Sequence, residues 1–153
     1  MTTGDETRLI AWHRELVGAH DRLREALRIA QQSTYEQTPA RRDLLLFCHG
    51  FCVALGGHHT SEDEALFPEL VARHPELSET IARLAQDHDL IAVLIQRLDA
   101  AICSGATVED VAGRLDGIAA IMESHFRYEE RRLVEVLASL RLRAPIATML
   151  GPL

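Results

Sequence analysis

Apolar residues recur at three- and four-residue spacing in four long segments, and no stretch alternates apolar and polar positions between turn residues as a half-buried strand would. The pattern predicts an all-α protein. A first helix is expected from about Glu6 to Gln32, with Leu9, Leu16, Leu23 and Leu27 on one stripe. Ser33 to Thr38 links it to a second helix, opened by Thr38 as N-cap and Pro39 as first helical residue, which carries Leu45, Phe51, Leu55 and Leu66. Pro68 and Pro75 should end or kink that helix. A third is expected from about Ser78 to Cys103. Ser104-Gly105-Ala106 then turns into a fourth, capped by Thr107 with Asp110 three residues on and ending near Arg143, before Pro145. Short links between long amphipathic helices favour antiparallel neighbours, hence an up-down-up-down antiparallel four-helix bundle. The chain is read as one domain over 1–153, with the bundle at about 6–143 and a short C-terminal tail.

The second half of the chain repeats the first. His20 and His88 lie 68 residues apart and each precedes an aspartate; His58-His-Thr-Ser-Glu62 and His125-Phe-Arg-Tyr-Glu129 lie 67 apart. The match continues through Asp63 and Glu130, Leu66 and Leu133, and Leu70 and Leu137. Four helical residues advance ~6 Å and turn ~40° past one revolution, so each His and its Glu share one face. Counted from the turn at Ser104, His88 and His125 sit at ~24 Å and ~27 Å, one level; His20 and His58, at ~20 Å and ~28 Å, match less well and leave the first linker to absorb the difference.

Six such side chains converging from four helices would be costly as an ordinary core, because buried carboxylates and imidazoles need partners. A metal centre supplies them. Two glutamates can bridge two cations while histidines cap each, and imidazole with carboxylate and no thiolate suits iron or manganese, with iron preferred; zinc more often takes one closed four-ligand site. The candidate metal ligands are His20, His58, Glu62, His88, His125 and Glu129. The competing reading is a buried polar network.

The remaining histidines and cysteines carry less. His59 is offset by ~100° from His58 and is expected on the surface or beside the site rather than as a ligand. His13 shares the His20 stripe, opposite Ile81 in the repeat, and is read as partly exposed; His49 and His74 are read as surface. Cys48 and Cys52, one turn apart, are read as small buried residues, since a regular helix does not orient such a pair for a disulfide. Phe47, Phe51 and Ala54 before His58, with Ile118 and Ile121 before His125, should form an apolar cap over one end of the site, with small Ala54 leaving room for a diatomic or peroxide ligand. Gly56-Gly57 implies a close approach or a bulge. Asp21 and Asp89 are expected to face solvent.

Composition narrows the class further. The net charge is −7, and all 16 basic residues are arginines scattered without a stripe, which argues against nucleic acid. The start of the chain lacks the basic flank and apolar run of a signal peptide, no run reaches the ~20 apolar residues of a membrane span, and three cysteines make no disulfide framework, so a cytoplasmic protein is expected.

The spaced pattern His, His-x-x-x-Glu, His, His-x-x-x-Glu, with His58-His-Thr-Ser-Glu-Asp-Glu-Ala-Leu-Phe-Pro68, resembles the haemerythrin/HHE cation-binding family of bacterial single-domain type over roughly residues 8 to 140. The resemblance implies a pair of non-haem irons, oxo- or hydroxo-bridged when oxidised. It further implies reaction with peroxide, oxygen or nitric oxide in oxidative or nitrosative stress, with catalase- or peroxidase-like turnover and a separate electron donor. The chain departs from the oxygen-carrying haemerythrins in two respects. Those carry a further histidine one turn from the third-helix ligand, where this chain has Leu84 and Ala92, and an aspartate five residues after the last histidine, where this chain has Glu129 at four. Fewer protein ligands leave open positions and favour chemistry over reversible storage. The alternative is a binding protein without turnover that senses oxygen, redox state or iron, or hands iron on. Either would be a monomer or weak homodimer.

Overall fold

A computed structural model describes residues 11–35 and 41–153 of the chain. Its long helices are α1 (Trp12–Ser33), α2 (Arg41–Ser61), α4 (Ser78–Cys103) and α5 (Val108–Ser139); α3 (Phe67–Arg73) continues α2 through a π-helical turn at Glu62–Leu66. A short α6 (Ile146–Leu150) follows. No strand occurs among the described residues. In the bundle α1 packs against α2 and α5, and α4 packs against α5 and α2, so the two helices bearing His-x-x-x-Glu lie diagonally opposite. The all-α four-helix bundle is borne out. The expected start of the first helix, with Leu9, and the Thr38-Pro39 cap lie outside the described residues.

The α1 stripe is buried at Leu16, Leu23 and Leu27, and Thr107 caps α5 by accepting a hydrogen bond from the Asp110 backbone N–H at 3.2 Å. In α2 the buried stripe runs through Leu44, Cys48, Phe51, Cys52 and Leu55. Leu45 and Phe47, expected inside, are 38 % exposed. They fall to the edge because the face toward α1 and α4 is centred on Cys48, Cys52 and Leu55.

Pro68 does not end the helix. A proline lacks an N–H and its ring crowds the carbonyl four residues back. The π turn immediately before it widens the helix: the Phe67 N–H reaches the Glu62 carbonyl, five residues away, and the chain runs on to Arg73. Pro75 does end it, with His74 before it in an extended conformation (φ −134°, ψ 74°).

The C-terminal region departs from expectation. Helix α5 stops at Ser139 rather than near Arg143, because Leu140 turns to an extended conformation and buries its side chain. The carbonyl of Leu142 accepts a hydrogen bond from Nε1 of buried Trp12 at 3.0 Å, and Met149 and Leu150 are buried among Trp12, Leu16, Leu66 and Leu70. The tail is thus folded against α1 and α2.

Candidate metal centre

The six candidate ligands converge in the middle of the bundle, each at most 3 % exposed. Their contacts have a symmetry. Glu62 presents Oε1 to His58 Nε2 at 2.8 Å and Oε2 to His88 Nε2 at 3.4 Å; Glu129 presents Oε1 to His20 Nε2 at 3.8 Å and Oε2 to His125 Nε2 at 3.2 Å. Each carboxylate therefore faces one histidine from the first half of the chain and one from the second. The unequal heights of His20 and His58 are absorbed, their ring centroids lying 5.2 Å apart.

These short contacts are not aligned as hydrogen bonds. Nε2 of His20, His58 and His59 and both oxygens of Glu62 and Glu129 are buried without a hydrogen-bond partner. The atoms converge on points between them rather than on one another. Orphaned buried polar atoms are rare because each costs roughly 1–3 kcal/mol, more when charged, so seven in one cluster fit a cation better than an apolar core. Ligand-type atoms lie within 4.8 Å of one another in three groups: His20, His58 and Glu62; Glu62, His88 and Glu129; and His59, His88 and His125.

The outward ring nitrogens are fixed. Nδ1–H donates to Glu130 from His20 (3.1 Å), to the Leu150 carbonyl from His58 (2.7 Å), to Asp63 from His88 (2.9 Å) and to Asp87 from His125 (3.2 Å). A metal-binding histidine is usually oriented this way, which leaves a lone pair on Nε2. His88 and His125 then face each other Nε2 to Nε2 at 3.1 Å. That is about the spacing of adjacent ligands held ~2.1 Å from one ion. The acid after each Glu of the repeat holds the lone histidine of the other half: Glu130 holds His20 and Asp63 holds His88. The position matching Asp87 is Ala19, which has no acceptor, and there the tail supplies the Leu150 carbonyl to His58 instead.

The sequence reading missed these supporting residues, although Asp63 and Glu130 stood next to the motif in both repeats. Arg24 braces Glu130 with two contacts of 3.2 and 3.3 Å and also reaches Glu123 at 2.9 Å. Burial opposes ionisation of Glu130, yet its bonds with His20 and Arg24 pull the carboxyl down to about 2. Asp21 pairs with Arg24, and Asp89 is exposed.

Of the two places expected for His59, the surface is ruled out and the position beside the site is the one observed. His59 is 5 % exposed and stacks on His88, with ring centroids 3.9 Å apart at 11°. The ~100° offset does not carry it out of the core, because the buried face of α2 is wide enough to take both His58 and His59. His13 is half-buried at the start of α1, His49 is exposed, and His74 sits beside Glu76. Cys48 and Cys52 are buried free thiols, pushed up by burial to about 11 and about 12 and so protonated.

Phe126 stacks on His20 at 3.8 Å, and Phe51, Leu55, Ile118 and Met122 close the core on that side. Ala54 lies at the edge of this cap, bordering a surface cavity of about 400 Å³ with Gly57 and Pro152. Neither Gly56 nor Gly57 has a close neighbour where a Cβ would stand; the tight approach belongs to Gly151.

Burial raises Glu62 to about 7 and, helped by the charge of Glu62, raises Glu129. Burial lowers His20, His58 and His59. It also acts to lower His125, but the nearby Glu129 carboxylate and the bond to Asp87 outweigh it and raise that imidazole. A metal ion binds these groups deprotonated, and Glu62 and His125, both raised, hold more proton at pH 6.5 than at pH 8. The stabilisation that metal confers is therefore expected to be larger at pH 8 than at pH 6.5. Thermal melts with and without metal at both pH values check this; a metal-induced shift that shrinks toward pH 8 contradicts it.

A buried cluster of imidazoles and carboxylates drawn from all four helices of a bundle defines a cation-binding helical protein. The chain matches the model of the Hemerythrin HHE cation binding domain over residues 13–149, and it belongs to that family. No curated protein and no solved structure matches it.

Proposed function

We propose that the chain is a single-domain di-iron protein that consumes a small oxidant, with peroxide the preferred substrate and oxygen or nitric oxide as alternatives. His20, His58, His88 and His125 would be terminal ligands and Glu62 and Glu129 the bridges. The observation that carries this reading is the division of each carboxylate between two histidines, one oxygen to either side. A pair of irons held there would supply one- and two-electron redox chemistry to a bound small molecule.

The protein's own contribution is to fix and to exclude. The Nδ1 bonds to Glu130, Leu150, Asp63 and Asp87 hold each ring in one tautomer. Phe51, Leu55, Met122 and Phe126 keep bulk water off one side. A polar surface cavity of about 840 Å³, lined by Arg83, Asp87, Arg127 and Tyr128, reaches His125. No helix among the described residues is long and apolar enough to cross a membrane. The protein is read as a monomer or weak homodimer of the cytoplasm that draws electrons from a separate donor.

The test is peroxide consumption by protein loaded anaerobically with ferrous iron. Many equivalents consumed per chain support turnover. A single equivalent with a persistent adduct would replace it with the sensing or iron-handling reading.

A further inference from the structure

His59 belongs to none of the roles described so far. Its Nε2 is buried without a hydrogen-bond partner. That nitrogen's ring lies between structures of ligand type, stacked on His88 at 3.9 Å and edge-on to His125 at 5.3 Å. One ligand atom of His59, one of His88 and one of His125 lie within 4.8 Å of one another.

The two sides of the centre are consequently unequal. Toward Oε1 of Glu62 and Glu129 stand His58 and His20; toward the two Oε2 atoms stand His88 and His125, with His59 beside them. We propose that His59 is a fifth imidazole ligand. It completes a three-histidine, two-carboxylate set around the metal position of His88 and His125, and leaves the His20 and His58 position as the one open to an exogenous ligand. The proposal rests on the two-metal reading given above.

An ordinary core histidine would stack as His59 does, but it would also need a partner for its second nitrogen.

The experiment is titration of the metal-free full chain with Co²⁺ against a competing chelator, for the natural protein, His59→Ala and His59→Gln. The natural protein should bind two equivalents. Both variants should keep one near its natural affinity and bind the other at least about tenfold more weakly. Added imidazole should restore the weakened equivalent in His59→Ala but leave His59→Gln unchanged, a rescue that loss of packing alone would not give.

The natural protein supplies a readout that needs no folded variant. Each ligand histidine retains one ring N–H, so the Co²⁺-loaded chain should show five exchangeable, paramagnetically shifted imidazole resonances. Four resonances, or two equivalents bound with unchanged affinity in both variants, would overturn the role of His59 while leaving the two-metal centre standing. Fewer than two equivalents in the natural protein would overturn the two-metal reading and this inference with it.

Discussion

Glu62→Leu is expected to stabilise the metal-free protein while removing the proposed capacity to hold two metal ions. The Glu62 side chain is fully buried, neither oxygen has a hydrogen-bond partner, and burial has raised it to about 7 against an ordinary 4.5. Holding that carboxylate ionised above neutral pH costs on the order of 3 kcal/mol. Leucine fills similar space and carries no polar group. The metal-free variant should therefore melt several degrees higher at pH 8, at roughly 2–4 °C per kcal/mol for a chain of this size. The opposite holds with metal present. Glu62 is the group that faces both His58 and His88, so its loss should leave at most one metal per chain. Melting curves and metal analysis on the same samples test both halves. A metal-free variant less stable than the natural protein would mean that Glu62 is a structural partner, not a site held ready for cations.

Gly151→Ala is expected to damage both stability and metal affinity, although residue 151 is no ligand. Gly151 has φ +89°, and a Cβ there would stand 3.1 Å from the Cα and N of His58 and 3.2 Å from the carbonyl carbon of Gly57. All three are backbone atoms that cannot step aside. The conformational strain alone costs on the order of 1–3 kcal/mol. The neighbouring carbonyl of Leu150, which takes the Nδ1–H of His58 at 2.7 Å, would be pushed out of register. Loss of such an orienting partner typically weakens metal binding 10- to 100-fold. Gly57→Ala is the control, since its Cβ would meet nothing within 4 Å and alanine favours a helix by up to about 1 kcal/mol. Equal effects in the two variants would remove the tail from the account of the site.

The bundle was legible because helical periodicity is a local property. The stripe Leu16, Leu23, Leu27 and the Thr107 cap are set by residues within a few positions of one another, and both stand where the sequence predicts. The six candidate ligands were legible for a different reason: the duplicated spacing converts chain distance into a shared height in the bundle. His59 was not, because it was placed by its offset from His58. Its membership of the stripe Cys48, Cys52, Leu55, His59, Glu62, all buried, is the signal that would have found it.

The acids that orient the histidines were hidden by the same habit. Asp21 and Asp89 adjoin histidines in sequence and face away from them, whereas Glu130, Asp63 and Asp87 reach His20, His88 and His125 from other helices. The contribution of the tail could not be read at all. It depends on a backbone carbonyl, which every residue has, and on a contact across 92 residues.

The central claim is that Glu62 and Glu129 join two irons in one centre. X-ray absorption on the anaerobically iron-loaded protein, with iron counted per chain, tests it most directly. The account predicts about two irons per chain, nitrogen and oxygen neighbours without sulfur, and a distinct iron–iron shell. One iron per chain, or two without an iron–iron shell, would contradict it.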